Sequence, residues 1–178
     1  AIAGLTSTAV SALSVSQIDS LTTTQVAALS ATAISGLTRT EIAAMSQDQL
    51  AALSTTQIAG LTETQIASLD TSQIAGMNTT QLRALISAAI AGLSVTAIAA
   101  LSSTQVGSLT ATQIAAFAST QIAALTADQI GNLSTTAIAS LSSSQLGALT
   151  TTQTAALTTT QLAALSATAA SGLTTADL

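Results

Sequence analysis

The chain has 178 residues, of which 48% are hydrophobic and only 5% charged, with a formal net charge of −5. Two basic residues cannot supply the clustered phosphate contacts of a nucleic-acid-binding protein. Histidine and cysteine are absent, which excludes disulfides, thiol nucleophiles and the commonest general base. No apolar run approaches the roughly 20 residues that span a bilayer, so we also expect no membrane insertion.

An eight-residue pattern runs through the whole chain. It reads Leu, Ser/Thr, variable, Thr/Ser, Gln, Ile/Val/Leu, Ala and a small residue, as in Leu21–Ala28. Residues 1–4 fit the end of an octad, and 22 octads then begin at every eighth residue from Leu5 to Leu173. Fixed-period repeats are typical of arrays whose units bury apolar faces against neighbours. We therefore predict one continuous repeat domain over residues 1–178, cut within a repeat at both ends.

Position two of the octad predicts the start of a short helix. It is Ser, Thr, Asp or Asn in 20 of 22 octads, the exceptions being Ile86 and Ala118. Such side chains accept a backbone N–H at a helix N-cap. Gln, or Glu41, follows three residues later in 15 octads and completes a capping box. Leu at position one and Ile at position six are then the partners of a hydrophobic staple.

Neither one long helix nor an extended strand suits the octad. Eight residues make about 2.2 helical turns, so the apolar stripe of a continuous helix would rotate by about 80° per octad. In a strand, positions one and six would point to opposite faces. We predict helix over positions three to eight, with the next Leu as an extended corner. Ala at position seven would let backbones approach, and Gly at position eight would relieve the helix end.

Each predicted helix is too short to be stable alone, because isolated helices below roughly 12 residues are marginal in water. Leu and Ile of successive octads must then stack around a shared axis, with position three outside. The predicted fold is an all-α solenoid of one-to-two-turn helices, one per octad. A β-solenoid is the alternative, since Thr, Ile and Val favour strands and Gln side chains form ladders between coils.

The acidic residues form no recurring cluster. They are Asp19, Glu41, Asp48, Glu63, Asp70, Asp128 and Asp177. We interpret them as solvated charges or, at Asp70, as an N-cap. We interpret Arg83, at a position that is mostly Ala, as exposed; the alternative is that an acid of a neighbouring coil or subunit meets it. A glycosidase-type carboxylate pair or a calcium site needs a closer grouping. The sequence therefore predicts no enzyme, with no catalytic, cofactor-binding or metal-binding residue and no small-molecule substrate.

Rows of Ser and Thr are the remaining candidate for a binding surface. A Thr-x-Thr spacing recurs at positions two and four, as in Thr22 and Thr24, and flat Thr arrays resemble the ice-binding faces of some antifreeze solenoids. However, an N-cap hydroxyl turned towards the backbone is not presented to ice. An ice- or carbohydrate-binding module is thus the alternative function.

The octads at Leu53–Gly60 and Leu157–Ala164 show the pattern L-[ST]-x-[TS]-Q-[IVL]-A-[AGS] most clearly. This pattern resembles the repeat tracts of very large secreted bacterial proteins described as haemagglutinin-, adhesin- or RTX-like. The resemblance implies export to the cell exterior and a role in a stalk, fibre or surface layer. The Gly-Asp nonapeptides that bind calcium in RTX proteins are absent here, so the resemblance does not extend to calcium.

The sequence therefore predicts a structural, extracellular repeat protein of a bacterial surface, as a subunit or segment of a fibre, filament or adhesin stalk. Low surface charge gives little electrostatic protection against association. We expect the chain to associate with copies of itself.

Overall fold

In the computed structural model, which describes residues 2–173, all regular secondary structure is helical. This range contains a short 3-10 turn and 21 α-helices of four to six residues, and it contains no strand. The all-α prediction is confirmed and the β-solenoid alternative is wrong. The chain divides into two compact units, Ala1–Leu93 (unit 1) and Ser94–Leu178 (unit 2).

Unit 1 begins with the 3-10 turn Ile2–Gly4. Its α-helices are α1 (Ser7–Val10), α2 (Val15–Asp19), α3 (Thr23–Ala27), α4 (Ala31–Ser35), α5 (Arg39–Ala43), α6 (Gln47–Ala51), α7 (Thr55–Ala59), α8 (Glu63–Ile66), α9 (Thr71–Ala75), α10 (Thr79–Ala84) and α11 (Ser87–Ile90). The α-helices of unit 2 are α12 (Val95–Ala100), α13 (Ser103–Gly107), α14 (Ala111–Ala115), α15 (Ser119–Ala123), α16 (Ala127–Gly131), α17 (Thr135–Ala139), α18 (Ser143–Leu146), α19 (Thr151–Ala155), α20 (Thr159–Ala163) and α21 (Ala167–Ala170). None of these helices has the length and apolarity that a membrane crossing requires.

Nineteen of the 21 described α-helices begin directly after a predicted N-cap residue. Thr22 has extended backbone angles, φ −71° and ψ 157°, and its side chain accepts a hydrogen bond from the backbone N–H of Gln25. Among the described α-helices only α11 and α15, which follow Ile86 and Ala118, lack such a side-chain cap. Most helices cover positions three to seven, one residue fewer than predicted, because position eight is the C-cap. Only α10 and α12 include position eight.

Within each unit, helices pack on the third helix along the chain. In unit 1 this gives three columns, α1–α4–α7–α10, α2–α5–α8–α11 and α3–α6–α9. In unit 2 the columns are α12–α15–α18–α21, α13–α16–α19 and α14–α17–α20. One turn of each solenoid therefore contains three octads, 3 × 8 = 24 residues, as the starts of α1, α4, α7 and α10 at Ser7, Ala31, Thr55 and Thr79 show.

Positions one and six supply the large apolar side chains in the core of each unit, as predicted. Ile58 and Leu61 are each 1% exposed, and Met45, Met77 and Phe117 are buried at the Leu position. Position three is exposed or half-exposed throughout the described octads, also as predicted. Position six departs from this pattern at Leu162, which is 39% exposed, and at Thr154, whose buried hydroxyl has no hydrogen-bond partner within residues 2–173. Such a group destabilises a core because it has lost its hydration without replacement.

The prediction for Ala at position seven is wrong. Ala27 and Ala43, for example, are exposed rather than inserted between coils. The side chains at position five are buried instead, as at Ala33 and Gln57. In a helix of five residues, the side chain at position five points into the unit and the side chain at position seven points outward. The octad pattern alone did not show which of the two would be buried. Arg83, at position seven, is exposed as predicted.

The glycines at position eight also have a different role from the predicted one. No described glycine has a positive φ, and Gly36 lies in the right-handed helical region at φ −81°. Glycine is needed there because the coils approach closely. A Cβ on Gly36 would lie 2.5 Å from the Cβ of Ser7, and a Cβ on Gly92 would clash with the backbone oxygen of Glu63.

We predict that Gly92→Ala destabilises unit 1 by about 1–3 kcal/mol, because the carbonyl of Glu63 is held in α8 by the N–H of Ala67 and the coils must separate. Gly131→Ala is the matched control. A Cβ there would lie 3.4 Å from the nearest carbonyl oxygen, that of Ala156, which is an ordinary contact. It should be neutral or stabilise by about 0.4–1 kcal/mol, through lower entropy of the unfolded chain. Urea denaturation of both variants measures the difference, and equal effects would contradict the close approach at Gly92.

Candidate functional site

The polar groups that recur inside each unit are the glutamines at position five. Gln57 in α7 is representative, with 2% of its surface exposed. Its Oε1 accepts the backbone N–H of Ser54 at 2.8 Å, and its own N–H donates to the Ser54 hydroxyl at 3.3 Å. These two bonds are the predicted capping box. Of the side-chain amide they use only Oε1, because the second bond is donated by the backbone N–H of Gln57.

The nitrogen end of the same amide joins two turns of the solenoid. Nε2 of Gln57 donates to the backbone oxygen of Val26 at 3.0 Å and to that of Leu29 at 2.7 Å. These acceptors lie 31 and 28 residues earlier, in the turn packed beneath α7. One glutamine therefore caps its own helix and bonds that helix to the preceding coil.

The same bond recurs in both units. We call the residues that make it within one unit the inner glutamines. They are Gln49, Gln57, Gln65, Gln73 and Gln81 in unit 1, and Gln129, Gln145, Gln153 and Gln161 in unit 2. Each is at most 6% exposed. Each donates Nε2 to the carbonyl at position one of the coil beneath, 28 residues earlier.

Sequence reasoning found the capping box and missed this bond between coils. The signal was in the choice of side chain, because a capping box needs only an acceptor and Glu provides one as well as Gln. The chain has 14 Gln residues and one Glu at this position of the octad. That preference indicates that the NH₂ group is used as a donor.

The predicted hydroxyl rows lie on the outside of both units. Position four is exposed in every octad that the structure describes, and position two is exposed in nearly all of them. Some of these hydroxyls are bonded to each other, as in Thr62 Oγ1 to Thr64 Oγ1 at 3.1 Å and Ser134 Oγ to Thr136 Oγ1 at 2.9 Å. The position-two oxygen also accepts the helix N–H, as predicted. Position four therefore offers the freer hydroxyls.

The acidic residues do not converge. Glu63 lies in α8 and Asp70 precedes α9, which belong to different columns of unit 1. Asp19, Asp48 and Asp128 are exposed, as predicted, and Asp177 lies outside the described residues. Glu41 contradicts the prediction, because it is 4% exposed and occupies the place of an inner glutamine. Among the described residues no group of three potential ligands could hold a metal ion.

Asp70 is held as a carboxylate by its role as a cap. The hydroxyl of Ser72 donates to its Oδ1 at 2.7 Å and the N–H of Gln73 donates to the same oxygen at 2.8 Å. The Ser72 hydroxyl, followed by the Gln73 N–H, lowers the pKa of Asp70 below its ordinary value. Both bonds favour the ionised form, so Asp70 is unsuited to donate a proton.

A shallow surface depression of about 630 Å³ lies between two turns of unit 1. It is lined by Thr38, Arg39, Thr40, Ala43 and Ser68. One guanidinium among hydroxyls forms polar contacts but contains neither a nucleophile paired with a base nor an enclosed apolar wall. The depression provides no basis for catalysis.

Three segments of the chain, residues 42–79, 74–111 and 131–159, match the ALTTAQ repeat family. Together they cover more than half of the chain, which therefore belongs to the ALTTAQ repeat family. No curated protein and no solved structure matches the chain.

We predict that Gln57→Ala costs about 2–4 kcal/mol, because it removes half of a capping box and leaves two buried carbonyls without their donor. Gln25→Ala is the matched control, since Gln25 is exposed and its side chain accepts only the N–H of Thr22 among the described residues. Its loss should cost about 0.5–1 kcal/mol. Urea denaturation measures the free energy of unfolding of the two variants. Equal losses of stability would show that the bond between coils contributes nothing to the free energy of unfolding.

Proposed function

We propose that this chain is a non-enzymatic structural repeat protein, a segment or subunit of an extracellular bacterial fibre, filament or adhesin stalk. The observation that carries the proposal is the bond made by the inner glutamines. It joins a coil to the preceding one by the same donor and acceptor positions wherever it occurs. A joint that repeats without variation is suited to building length and to bearing load along the stack.

The distribution of polar chemistry supports a structural role. The buried polar side chains are nearly all glutamines that satisfy backbone groups, and they leave little chemistry for a substrate. In repeat proteins stability is approximately the sum of each repeat and its neighbour contacts, so length is added without a new core design. The resemblance of the octad to repeat tracts of secreted bacterial adhesins supports the extracellular location.

Self-association is the partner interaction that we propose. The outer surface carries Ser and Thr in place of the usual charged residues, with 5% charged residues in the whole chain. Net charge and charged surfaces keep proteins dispersed, so a surface of this kind permits copies to pack side by side. Position four provides a regular strip for such packing, as Thr32, Thr56 and Thr80 show in the column α1–α4–α7–α10.

A module that binds ice or carbohydrate is the second candidate, and the exposed hydroxyls at position four favour it. The same three threonines repeat at intervals of one solenoid turn, so hydroxyl and methyl groups recur at regular spacing along one face. Regular hydroxyls can order water or bond sugar hydroxyls. This second candidate predicts that dispersed copies of the chain bind ice or carbohydrate, whereas the first proposal predicts that the copies assemble.

We expect electron microscopy and sedimentation velocity of the purified chain at neutral pH to show concentration-dependent filaments or bundles of uniform width. The variant Thr32→Asp, Thr56→Asp and Thr80→Asp tests the surface without touching the core. Asp already occurs at position four in Asp48 and Asp128, so the fold should tolerate it. Added charge should shift the sedimentation towards smaller species.

Thermal hysteresis and glycan binding are measured on the same two samples. Dispersed wild-type monomers at every concentration, together with thermal hysteresis or glycan binding that the triple Asp variant loses, would contradict the structural proposal and support the second candidate.

A further inference from the structure

Helix α11 lacks two features that stabilise the other helices of the repeat. Ile86 stands at its N-cap position and makes no side-chain hydrogen bond to the helix. Ala89 stands at position five, where it has no amide to accept the N-cap N–H or to donate to the coil beneath. The coil Leu85–Gly92, which we call the α11 coil, therefore lacks both side-chain bonds that the repeat pattern provides.

Every other described helix that departs from the pattern keeps one of the two features. Helix α4 has Ala33 at position five, but the Ser30 hydroxyl caps it by accepting the N–H of Ala33 at 3.0 Å. Helix α15 follows Ala118, which has no hydroxyl, but Gln121 accepts the Ala118 N–H at 2.7 Å. Within residues 2–173, α11 is thus the helix that has neither a side-chain cap nor a Gln or Glu at position five.

The α11 coil is held on α8 by apolar contact. Ala89 and Ile90 are each 0% exposed, and Gly92 lies against the carbonyl of Glu63. Opening of this coil exposes these side chains, but it breaks no cap and no bond from an inner glutamine of its own. Ile86 is already 48% exposed, so its side chain adds little to the burial that opposes opening.

The segment that can open with this coil begins after Gln81. Gln81 donates its Nε2 to the carbonyl of Leu53 at 3.0 Å and so holds α10 on the coil beneath. The next side-chain cap along the chain is that of Ser94 at the start of α12. Arg83 lies between these two points, in the last turn of α10, and it is exposed. The Arg83–Ala84 peptide bond therefore borders the α11 coil.

We propose that the α11 coil is the site at which unit 1 opens locally, and that this opening makes the Arg83–Ala84 bond a cleavage site for an arginine-specific endoprotease. Proteolysis of a folded chain follows the population of its open form when opening is fast. Hydrolysis breaks the C–N bond, and water supplies the hydroxyl of the new Arg83 carboxyl group and a hydrogen of the new Ala84 amino group. Cleavage requires no assembly of copies, so the proposal is independent of the proposed function.

Arg39 provides a comparison site in the same unit. It is the other basic residue of the chain, and it is exposed like Arg83. However, it lies at the start of α5, which has the complete capping box of Thr38 and Glu41, and the following helix α6 has a complete capping box as well. Exposure alone predicts equal cleavage after the two arginines, whereas local opening predicts cleavage after Arg83.

Limited digestion of the folded chain with trypsin, which cleaves after Arg and Lys, tests the proposal, and mass spectrometry identifies the fragments. Each cleavage rate is divided by the rate for a short peptide of the same sequence, which removes the sequence preference of the protease. After this correction, cleavage after Arg83 should be about 10-fold faster than cleavage after Arg39, because the α11 coil lacks both a cap and an inner glutamine. The first products should be residues 1–83 and 84–178.

Two substitutions of Ile86 separate the missing cap from the exposed apolar side chain. Ile86→Ser supplies an N-cap hydroxyl and should slow cleavage after Arg83 about 5-fold. Ile86→Ala is the matched control, because it removes the same side chain without supplying a cap, and its rate should stay within about 2-fold of the wild type. Neither should change cleavage after Arg39. Hydrogen exchange of the α11 backbone amides should slow about 5-fold in Ile86→Ser alone, which gives a readout without a protease.

Cleavage after Arg39 that is as fast as cleavage after Arg83 would overturn the proposal, and so would resistance of both bonds to trypsin that digests the peptides. Equal slowing by Ile86→Ser and Ile86→Ala would also overturn it, because the exposed isoleucine, and not the missing cap, would then control the opening.

Discussion

The structure depends on one side-chain amide that serves two backbones. In an inner glutamine such as Gln57, Oε1 terminates the local helix and Nε2 holds the coil beneath. Each end of the amide satisfies a backbone group that would otherwise be left without a partner, either at a helix terminus or inside the stack. Because the side chain is buried, both bonds are made in an environment of low dielectric constant, where an unpaired partner is costly. Local capping and long-range packing are thereby coupled.

This coupling explains how helices of four to six residues persist. Alone, each would lie far below the length at which helices are stable in water. In the stack, Leu at position one and Ile at position six are buried against the turns above and below, and the glutamine fixes the register between turns. Glycine at position eight, as at Gly36, lets the neighbouring backbone approach. The apolar contacts are non-directional, whereas the amide bonds specify which octads face each other.

The local part of this structure was predictable from sequence, and the part that depends on three octads per turn was not. Thr22 and Gln25 define a helix start through bonds three residues apart, so the octad contains all the information needed. The inward turn of position five and the outward turn of Ala27 depend on the angle between successive helices, which no single octad encodes. The close contact of Gly92 with Glu63 spans a full turn and was equally hidden.

In the candidate site, too, the local features were predictable from the sequence and the contacts between turns were not. The outer hydroxyl rows came directly from the octad pattern. The role of the glutamine NH₂ was visible only as a preference for Gln over Glu, which the capping box does not require. Glu41 was interpreted as an ordinary acid because its burial arises from the packing of α5 on its neighbours. The environment of a side chain in one turn of the solenoid therefore depends on the turn that packs against it.

The most direct test of this account is the hydrogen exchange of the glutamine side-chain amides, followed by NMR spectroscopy of the intact chain. The account predicts two populations. The Nε2 hydrogens of inner glutamines such as Gln57 and Gln129 should exchange slowly, because they are buried and bonded to carbonyls of the preceding turn. Those of Gln17 and Gln25, which are exposed, should exchange at the rate of free amides. Uniformly fast exchange of all glutamine side chains would contradict the bond on which the structure is built.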